Sequence, residues 1–311
     1  MTSAFLFPGQ GSQAVGMGSA LYDAVPSARA VFDEVDEALG NKLTKIMFEG
    51  PDDQLRLTEN AQPALMATSL AVVKALETKS GRPLGDMGSY VAGHSLGEYS
   101  ALAAVGALSI ADAARLLRLR GQSMQDAVPV GEGAMAAILG LDLQDVEAVA
   151  AEARGDQVCD VANDNAPGQI VVSGDKSAIE RAVEIAKAKG AKRSLLLPVS
   201  APFHCALMEP AADAVKHALD DITFNVPSLP VVTNVSAAPE SDSDVLKRSL
   251  VAQVTAKVRW RESLKTMSEL GVTEALELGA GRVLGGLVKR TVKDMKPHAL
   301  GTPDDIETYL S

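Results

Sequence analysis

A mainly parallel α/β body with a smaller βαββαβ unit inserted into it is the fold that the sequence predicts. Three observations carry that expectation. Short apolar runs alternate with stretches of helical spacing up to about residue 127 and again after about 198, the pattern of strands linked by helices. Between 128 and 197 the order becomes strand, helix, strand, strand, helix, strand. A G-x-S-x-G pentapeptide, Gly93-His94-Ser95-Leu96-Gly97, stands between an apolar run and a helical stretch. A sharp strand-to-helix turn occupies that place in an α/β sheet.

Taken in order, "AFLF" at 4–7 reads as a short buried strand, followed by helices at about 19–39 and 60–79. A strand at 89–92 leads into the pentapeptide, and helices follow near 96–106 and 110–126, the second with Ser109 as its N-cap. The inserted unit consists of a strand at 134–140, a helix at 143–154, strands at 157–163 and 169–174 joined through Pro167-Gly168, a helix at 177–190 and a strand at 193–199. That order is the split βαβ, or ferredoxin-like, unit. Beyond it come a helix near 205–219, a strand at 229–233, helices near 243–256 and 261–270, a strand at 273–278 and a helix near 282–293. The expected division is a large catalytic part, 1–127 with 198–311, similar to the α/β hydrolase core, and a ferredoxin-like part at 128–197.

A chain of 311 residues is long for one compact core, which agrees with two parts. Apolar residues make up 47% and charged ones 22%, an ordinary globular composition, and no apolar run is long enough to span a bilayer. The opening "MTSAFLFPGQGS" has neither a basic n-region nor a long apolar h-region, so a cytoplasmic protein is expected. Cys159 and Cys205 are the only cysteines and are expected to be reduced thiols. Four scattered histidines without a Cys/His cluster give no metal site. A net charge of -11 excludes general nucleic-acid binding. Two basic clusters stand against this acidity: Lys187, Lys189, Lys192 and Arg193, then Arg282, Lys289, Arg290, Lys293 and Lys296. Such clusters are often solvated helix faces, but on an acidic protein they can also receive an anionic partner.

The turn at Ser95 would raise its hydroxyl above the sheet and aim it at the unpaired N–H groups of a helix start. A serine hydroxyl is a weak nucleophile and needs a base within hydrogen-bond reach, most often histidine. His94 is adjacent to Ser95, and adjacent side chains on such a turn point apart. His217 lies in a polar helical stretch and His298 follows a proline near the C-terminus. His204, in the loop "PVSAPFHCALMEP" after a strand, is the candidate base. "FPGQGSQ" at 7–13 also leaves a strand directly; it lacks the Gly-Lys-Ser/Thr of a phosphate loop and can instead offer a second oxyanion donor. Arg120, in "LLRLRGQSMQ", gains a role only if the substrate carries a carboxylate, which a guanidinium grips at two points.

Together, "FPGQGSQ", "GHSLGEYSAL" at 93–102, "RGQSMQ" at 120–125, "GAMAAILG" at 133–140, "NDNAPGQIVVSG" at 163–174, "SAPFHCALM" at 200–208 and "TNV" at 233–235 resemble the malonyl-CoA:acyl carrier protein transacylases of type II fatty acid synthesis. The acyltransferase domains of polyketide synthases are similar. The resemblance runs from about residue 3 to 301, with one departure, Ala280 where many relatives carry proline. It implies an acyl carrier protein S-malonyltransferase with Ser95 as acylated nucleophile and His204 as base. The backbone carbonyl of Gln253 would orient the imidazole in place of an aspartate. Backbone N–H groups of Gln10 and Leu96 would form the oxyanion hole, and Arg120 would hold the malonyl carboxylate. His94, Asn163 and Phe203 would line the pocket. No metal and no cofactor is implied beyond malonyl-CoA as substrate. The partner is holo acyl carrier protein, an acidic protein for which Lys187, Lys189, Lys192, Arg193, Lys289 and Arg290 are candidate docking residues. Neither nucleic acid nor membrane is expected as a partner, and the chain is expected to be a monomer. Two other readings stay open: a stand-alone acyltransferase of a polyketide or malonate-decarboxylating system, and a serine thioesterase or esterase.

Overall fold

The computed structural model describes residues 2–311. Ten strands form two sheets: β1 (Ser3–Phe7), β2 (Tyr90–Gly93), β3 (Gly133–Leu139), β4 (Cys159–Ala166), β5 (Gln169–Asp175), β6 (Arg193–Leu196), β7 (Val231–Val232), β8 (Pro239–Glu240), β9 (Glu274–Leu278) and β10 (Lys296–Leu300). The six-stranded sheet has the order β10-β9-β1-β2-β7-β8. Its neighbours are parallel except for the short β7–β8 pair. Every residue of β1 is buried, because helices cover both faces of a parallel sheet. One of them, Thr58–Ser80, is buried nearly all round as far as Leu76 and runs through the core rather than along its surface.

The second sheet has the order β4-β5-β3-β6 and is antiparallel, so the unit between β3 and β6 is the expected ferredoxin-like one. Alternation along β3 divides its side chains between two cores. Ala136 and Ile138 pack with Val146, Val149 and Ile179 of the helices Leu143–Arg154 and Lys176–Ala188, while Met135 faces the large body.

The small sheet is stitched to the large body at β4. The Asp164 N–H donates to the Val258 carbonyl at 2.9 Å, and the Val258 N–H donates to the Ala162 carbonyl at 2.8 Å. The fully buried Asp164 carboxylate receives Arg261 Nε at 2.9 and 2.8 Å, and Arg261 Nη2 lies 2.8 Å away. A buried carboxylate is tolerated only with such a partner.

Several elements depart from the sequence reading. The helix expected at 19–39 is two, Ser19–Ala24 and Pro26–Leu39, separated by Val25 at φ -127°. The proline ring forces the preceding residue out of helical backbone. The helix expected from 205 begins at Glu209, after a single 3₁₀ turn over Ala206–Met208. The strand expected to reach 199 ends at Leu196. The short helices Leu43–Glu49 and Asp52–Arg56, the strand β10 and the helix Pro303–Leu310 were not expected. β10 opens "KPHAL", without apolar alternation, and its pairing with β9 is what makes it a strand. No helix among the described residues is long and apolar enough to cross a membrane.

Candidate active site

Strands β1 and β2 pair in register, Phe7 opposite Gly93, so the loops after them leave the same edge of the sheet together. The turn after β2 is extremely close. A Cβ on Gly93 would fall 1.9 Å from the Gly97 carbonyl, and one on Gly97 would fall 2.2 Å from the Phe7 oxygen. Both positions exclude a side chain through close approach, and the left-handed backbone belongs to Ser95 itself, at φ 53°. His204 is left-handed too, at φ 58°. Non-glycine residues hold that conformation only where their surroundings enforce it. Asn234 does so at the turn: its Oδ1 accepts from the Ser95 N–H at 2.8 Å, and its Nδ2 donates to the Gly93 carbonyl at 2.7 Å.

Ser95 Oγ lies 2.8 Å from His204 Nε2, and His204 Nδ1 lies 2.9 Å from the Gln253 carbonyl oxygen. A carbonyl only accepts, so Nδ1 carries the proton and Nε2 is free to take the serine's. His204 is buried, and its pKa is lowered to about 3, first by desolvation and then by the nearby Arg120 charge. The neutral imidazole therefore persists well below the ordinary histidine range. The rate of Ser95 acylation should show no loss with a midpoint near 6.5, histidine's unperturbed value, as pH falls from about 7 to 5.5. Single-turnover mixing across that range checks this, and a midpoint near 6.5 would mean that the imidazole protonates freely. His217 and His298 lie elsewhere: His217 on the helix Glu209–Asp220, and His298 between Glu274 and the ring of Tyr309.

Arg120 lies within the helix Ile110–Asp126 and is 1% exposed. Its Nη1 donates to Gln62 Oε1 at 2.7 Å, and its Nη2 to Gln253 Oε1 at 3.0 Å and Ser95 Oγ at 3.1 Å. The guanidinium lies over the Tyr99 ring, 5.5 Å from its centroid. Arg118 and Arg115 of the same helix turn away, to Asn60 and Asp112. The helix thus places one cation, out of water, directly beside the nucleophile.

The dyad and Arg120 open into a pocket of about 670 Å³ between the two sheets. Gln10, His94, Leu96, Asn163 and Phe203 all line it. His94 is turned away from Ser95, with Nε2 2.8 Å from Asn165 Oδ1 and its ring beside Trp260; burial lowers its pKa. The N–H groups of Gly97 and Glu98 are taken by the carbonyls of His94 and Ser95. Those of Leu96 and Gln10 make no hydrogen bond among the described residues. Among the described residues no cluster of three or more His, Cys, Asp or Glu could hold a metal ion.

The basic residues divide. Lys187 and Lys189 are engaged by Glu184 and Glu152 on the outer helices of the small unit. Arg290 donates to Gln169 Oε1 at 2.9 Å, and Gln169 lines the pocket. Arg193 stands opposite Leu139, itself paired with Gln169, and the stem of Lys192 covers the neighbouring Gly140. Arg193, Lys192 and Arg290 therefore gather at the pocket end of the small sheet, and Lys289 precedes Arg290 on its helix.

Sequence reasoning did not single out Gln62, Glu98, Asn165 or Asn234. Glu98, Asn165 and Asn234 stood inside quoted motifs, "GHSLGEYSAL", "NDNAPGQIVVSG" and "TNV", without a role. Gln253 was expected to act through its carbonyl; its side chain also joins Arg120 to the Ser95 carbonyl.

The chain is similar to known proteins along its whole length. The family described as the acyl transferase domain matches residues 4–304. The malonyl CoA-acyl carrier protein transacylase of Bacillus subtilis is 47% identical over 308 residues, covering 99% of this chain and 96% of the relative. The crystal structure of an acyl-carrier-protein S-malonyltransferase from Bartonella henselae superposes with a TM-score of 0.97 at 54% identity, covering 100% of this chain and 98% of the other. A malonyl-transacylase solved in complex with its type II PKS acyl-carrier protein has a TM-score of 0.96 at 42% identity, covering 100% and 99%. A family match across nearly the whole length, joined by relatives this similar from end to end, means that the chain belongs to the acyl transferase family, among the malonyl CoA-acyl carrier protein transacylases.

Proposed function

We propose that this chain moves a malonyl group from malonyl-CoA to the phosphopantetheine thiol of an acyl carrier protein, through a malonyl ester of Ser95. The observation that carries the reading is the buried Arg120 guanidinium 3.1 Å from Ser95 Oγ. A hydrolase of neutral esters gains nothing from desolvating a cation there, whereas an acyl group with a free carboxylate does.

In the first half-reaction His204 Nε2 takes the Ser95 proton as Oγ bonds to the thioester carbon. The N–H groups of Gln10 and Leu96 hold the oxyanion. The C–S bond then breaks, and the departing sulfur of CoA takes the proton from His204. The carrier thiol reverses these steps: it gives its proton to His204, attacks the ester and releases Ser95. These steps use side chains, backbone donors and the two thioesters alone. Residues 1–127 and 198–311 supply the dyad, Arg120 and Gln253, and 128–197 supplies Asn163 and the opposite wall.

Arg193, Lys192, Lys289 and Arg290 form the surface for the acidic carrier, a reading supported by Arg290, which donates to the pocket residue Gln169, and by Arg193, one strand away from it; Lys187 and Lys189, held by acids, extend it. The protein acts as a monomer in the cytoplasm. A carrier of polyketide synthesis is a second fit, since the solved complex has such a carrier bound to a similar enzyme.

The test is discharge. Wild type loaded with malonyl-CoA should gain a malonyl mass that holo carrier protein removes and water does not. In the Lys289→Glu/Arg290→Glu protein the carrier KM should rise about tenfold and lose salt dependence, with loading by malonyl-CoA unchanged. An unmoved carrier KM would place docking elsewhere, and carrier-independent loss of the adduct would indicate a hydrolase.

A further inference from the structure

Glu98 is a fully buried carboxylic acid that the acyl-transfer steps leave without a task. It belongs to the first turn of the helix Gly97–Ala104, directly after the nucleophile. Its Oε2 accepts two hydrogen bonds, from the Asn234 N–H at 2.9 Å and from Gln253 Nε2 at 3.0 Å. Its Oε1 is buried and has no partner among the described residues. Burying an acid costs free energy, so the residue needs a reason to be one.

The reason lies in what its two donors hold. Asn234 grips the Ser95 N–H and the Gly93 carbonyl, the groups flanking the left-handed turn. Gln253 touches everything else: its carbonyl orients His204, its Nε2 also donates to the Ser95 carbonyl at 2.9 Å, and its Oε1 accepts from Arg120. One oxygen atom thus underlies the nucleophile, the base and the cation together. What the two donors require is an acceptor oxygen at this point; an amide oxygen in the same place also accepts, with weaker bonds than an ionised carboxylate forms. Burial raises the Glu98 pKa to about 7, while the two donors and the nearby Arg120 charge oppose that rise.

We infer that Glu98 is a positioning residue of the acyl-transfer site, acting through Asn234 on the Ser95 turn and through Gln253 on His204. This rests on the reading of the chain as an acyltransferase. A displacement of about 1 Å at a reacting atom costs on the order of 100-fold in rate, and that sets the expected size.

The experiment is Ser95 acylation by malonyl-CoA, followed by intact mass, for wild type, Glu98→Ala, Glu98→Gln and Asn234→Ala. Thermal unfolding is measured on each. Glu98→Ala should lose on the order of 100-fold in the maximal acylation rate, with the half-saturating malonyl-CoA concentration within about threefold of wild type. Asn234→Ala should show the same split. The combined variant should lose little beyond either single one, because both act on one turn. Glu98→Gln keeps an acceptor oxygen in place and should recover most of the lost rate. A folded Glu98→Ala protein that acylates at the wild-type rate overturns the inference, and so does a Gln variant as slow as Ala. If Glu98→Ala does not fold, Asn234→Ala and Glu98→Gln decide by the same criteria. Wild type that takes no malonyl group defeats the acyltransferase reading instead, which separates the two failures.

Discussion

Ser95→Ala protein mixed with malonyl-CoA will carry no malonyl adduct, and turnover with carrier protein will fall by on the order of 10⁴-fold or more. The size follows from the mechanism. The hydroxyl supplies the covalent intermediate, and among the described residues Ser95 Oγ is the nucleophile hydrogen-bonded to His204 Nε2. Cys205 is next in sequence to the base, but its Sγ points to the Pro202 carbonyl, and burial raises its pKa to about 11. The thiol is therefore not a substitute. The alanine should be tolerated by the fold, since the turn is held through the Ser95 backbone groups rather than its hydroxyl. Intact-protein mass after brief mixing checks the adduct, and thermal unfolding checks the fold. An adduct persisting on Ser95→Ala would move the nucleophile elsewhere.

Arg120→Ala should lower the acylation rate with malonyl-CoA by on the order of 10³-fold, while acetyl-CoA changes little or improves. Charge-assisted hydrogen bonds contribute roughly 1.5–3 kcal/mol each, so a two-point grip on a carboxylate accounts for about 4 kcal/mol. The structure adds a second effect of opposite sign. Arg120 is one of the charges that hold the His204 pKa low, and its loss frees the imidazole to become more basic. An acyl group without a carboxylate forfeits nothing and gains a stronger base. The ratio of malonyl to acetyl loading, measured by mass on one protein sample, reports both effects. An unchanged ratio would mean that the pocket walls, not the guanidinium, select the acyl group.

Much of this site was legible in the sequence because its chemistry is local. G-x-S-x-G needs only five residues to specify a turn, and "PFHC" places the base on a loop. The helix Ile110–Asp126 was readable to its ends, since Ser109 caps it and its apolar spacing is regular. What stayed hidden is made by tertiary contact. Nothing near Glu98 in the sequence shows that the fold puts Asn234 and Gln253, 136 and 155 residues away, on its carboxylate. At the G-x-S-x-G turn the crowding that excludes a side chain from Gly93 and Gly97 comes from Gly97 and Phe7 in space, and the left-handed dihedral falls on Ser95. Likewise β10 has no strand pattern of its own and is created by the open edge of β9.

The stitch between β4 and Val258 has a consequence for motion. Two backbone hydrogen bonds and the Asp164–Arg261 ion pair join β4 to the segment Val258–Arg261 of the large body, and Asn163 of the pocket wall is bridged to Val258 on that line. Closed backbone bonds on that line resist a slide of the small sheet against the large body. Amide exchange at Asp164 and Val258 should be among the slowest in the contact between the two parts. The wall that carries Asn163 is therefore held at a set spacing from the rest of the cleft, a gauge for whatever enters it.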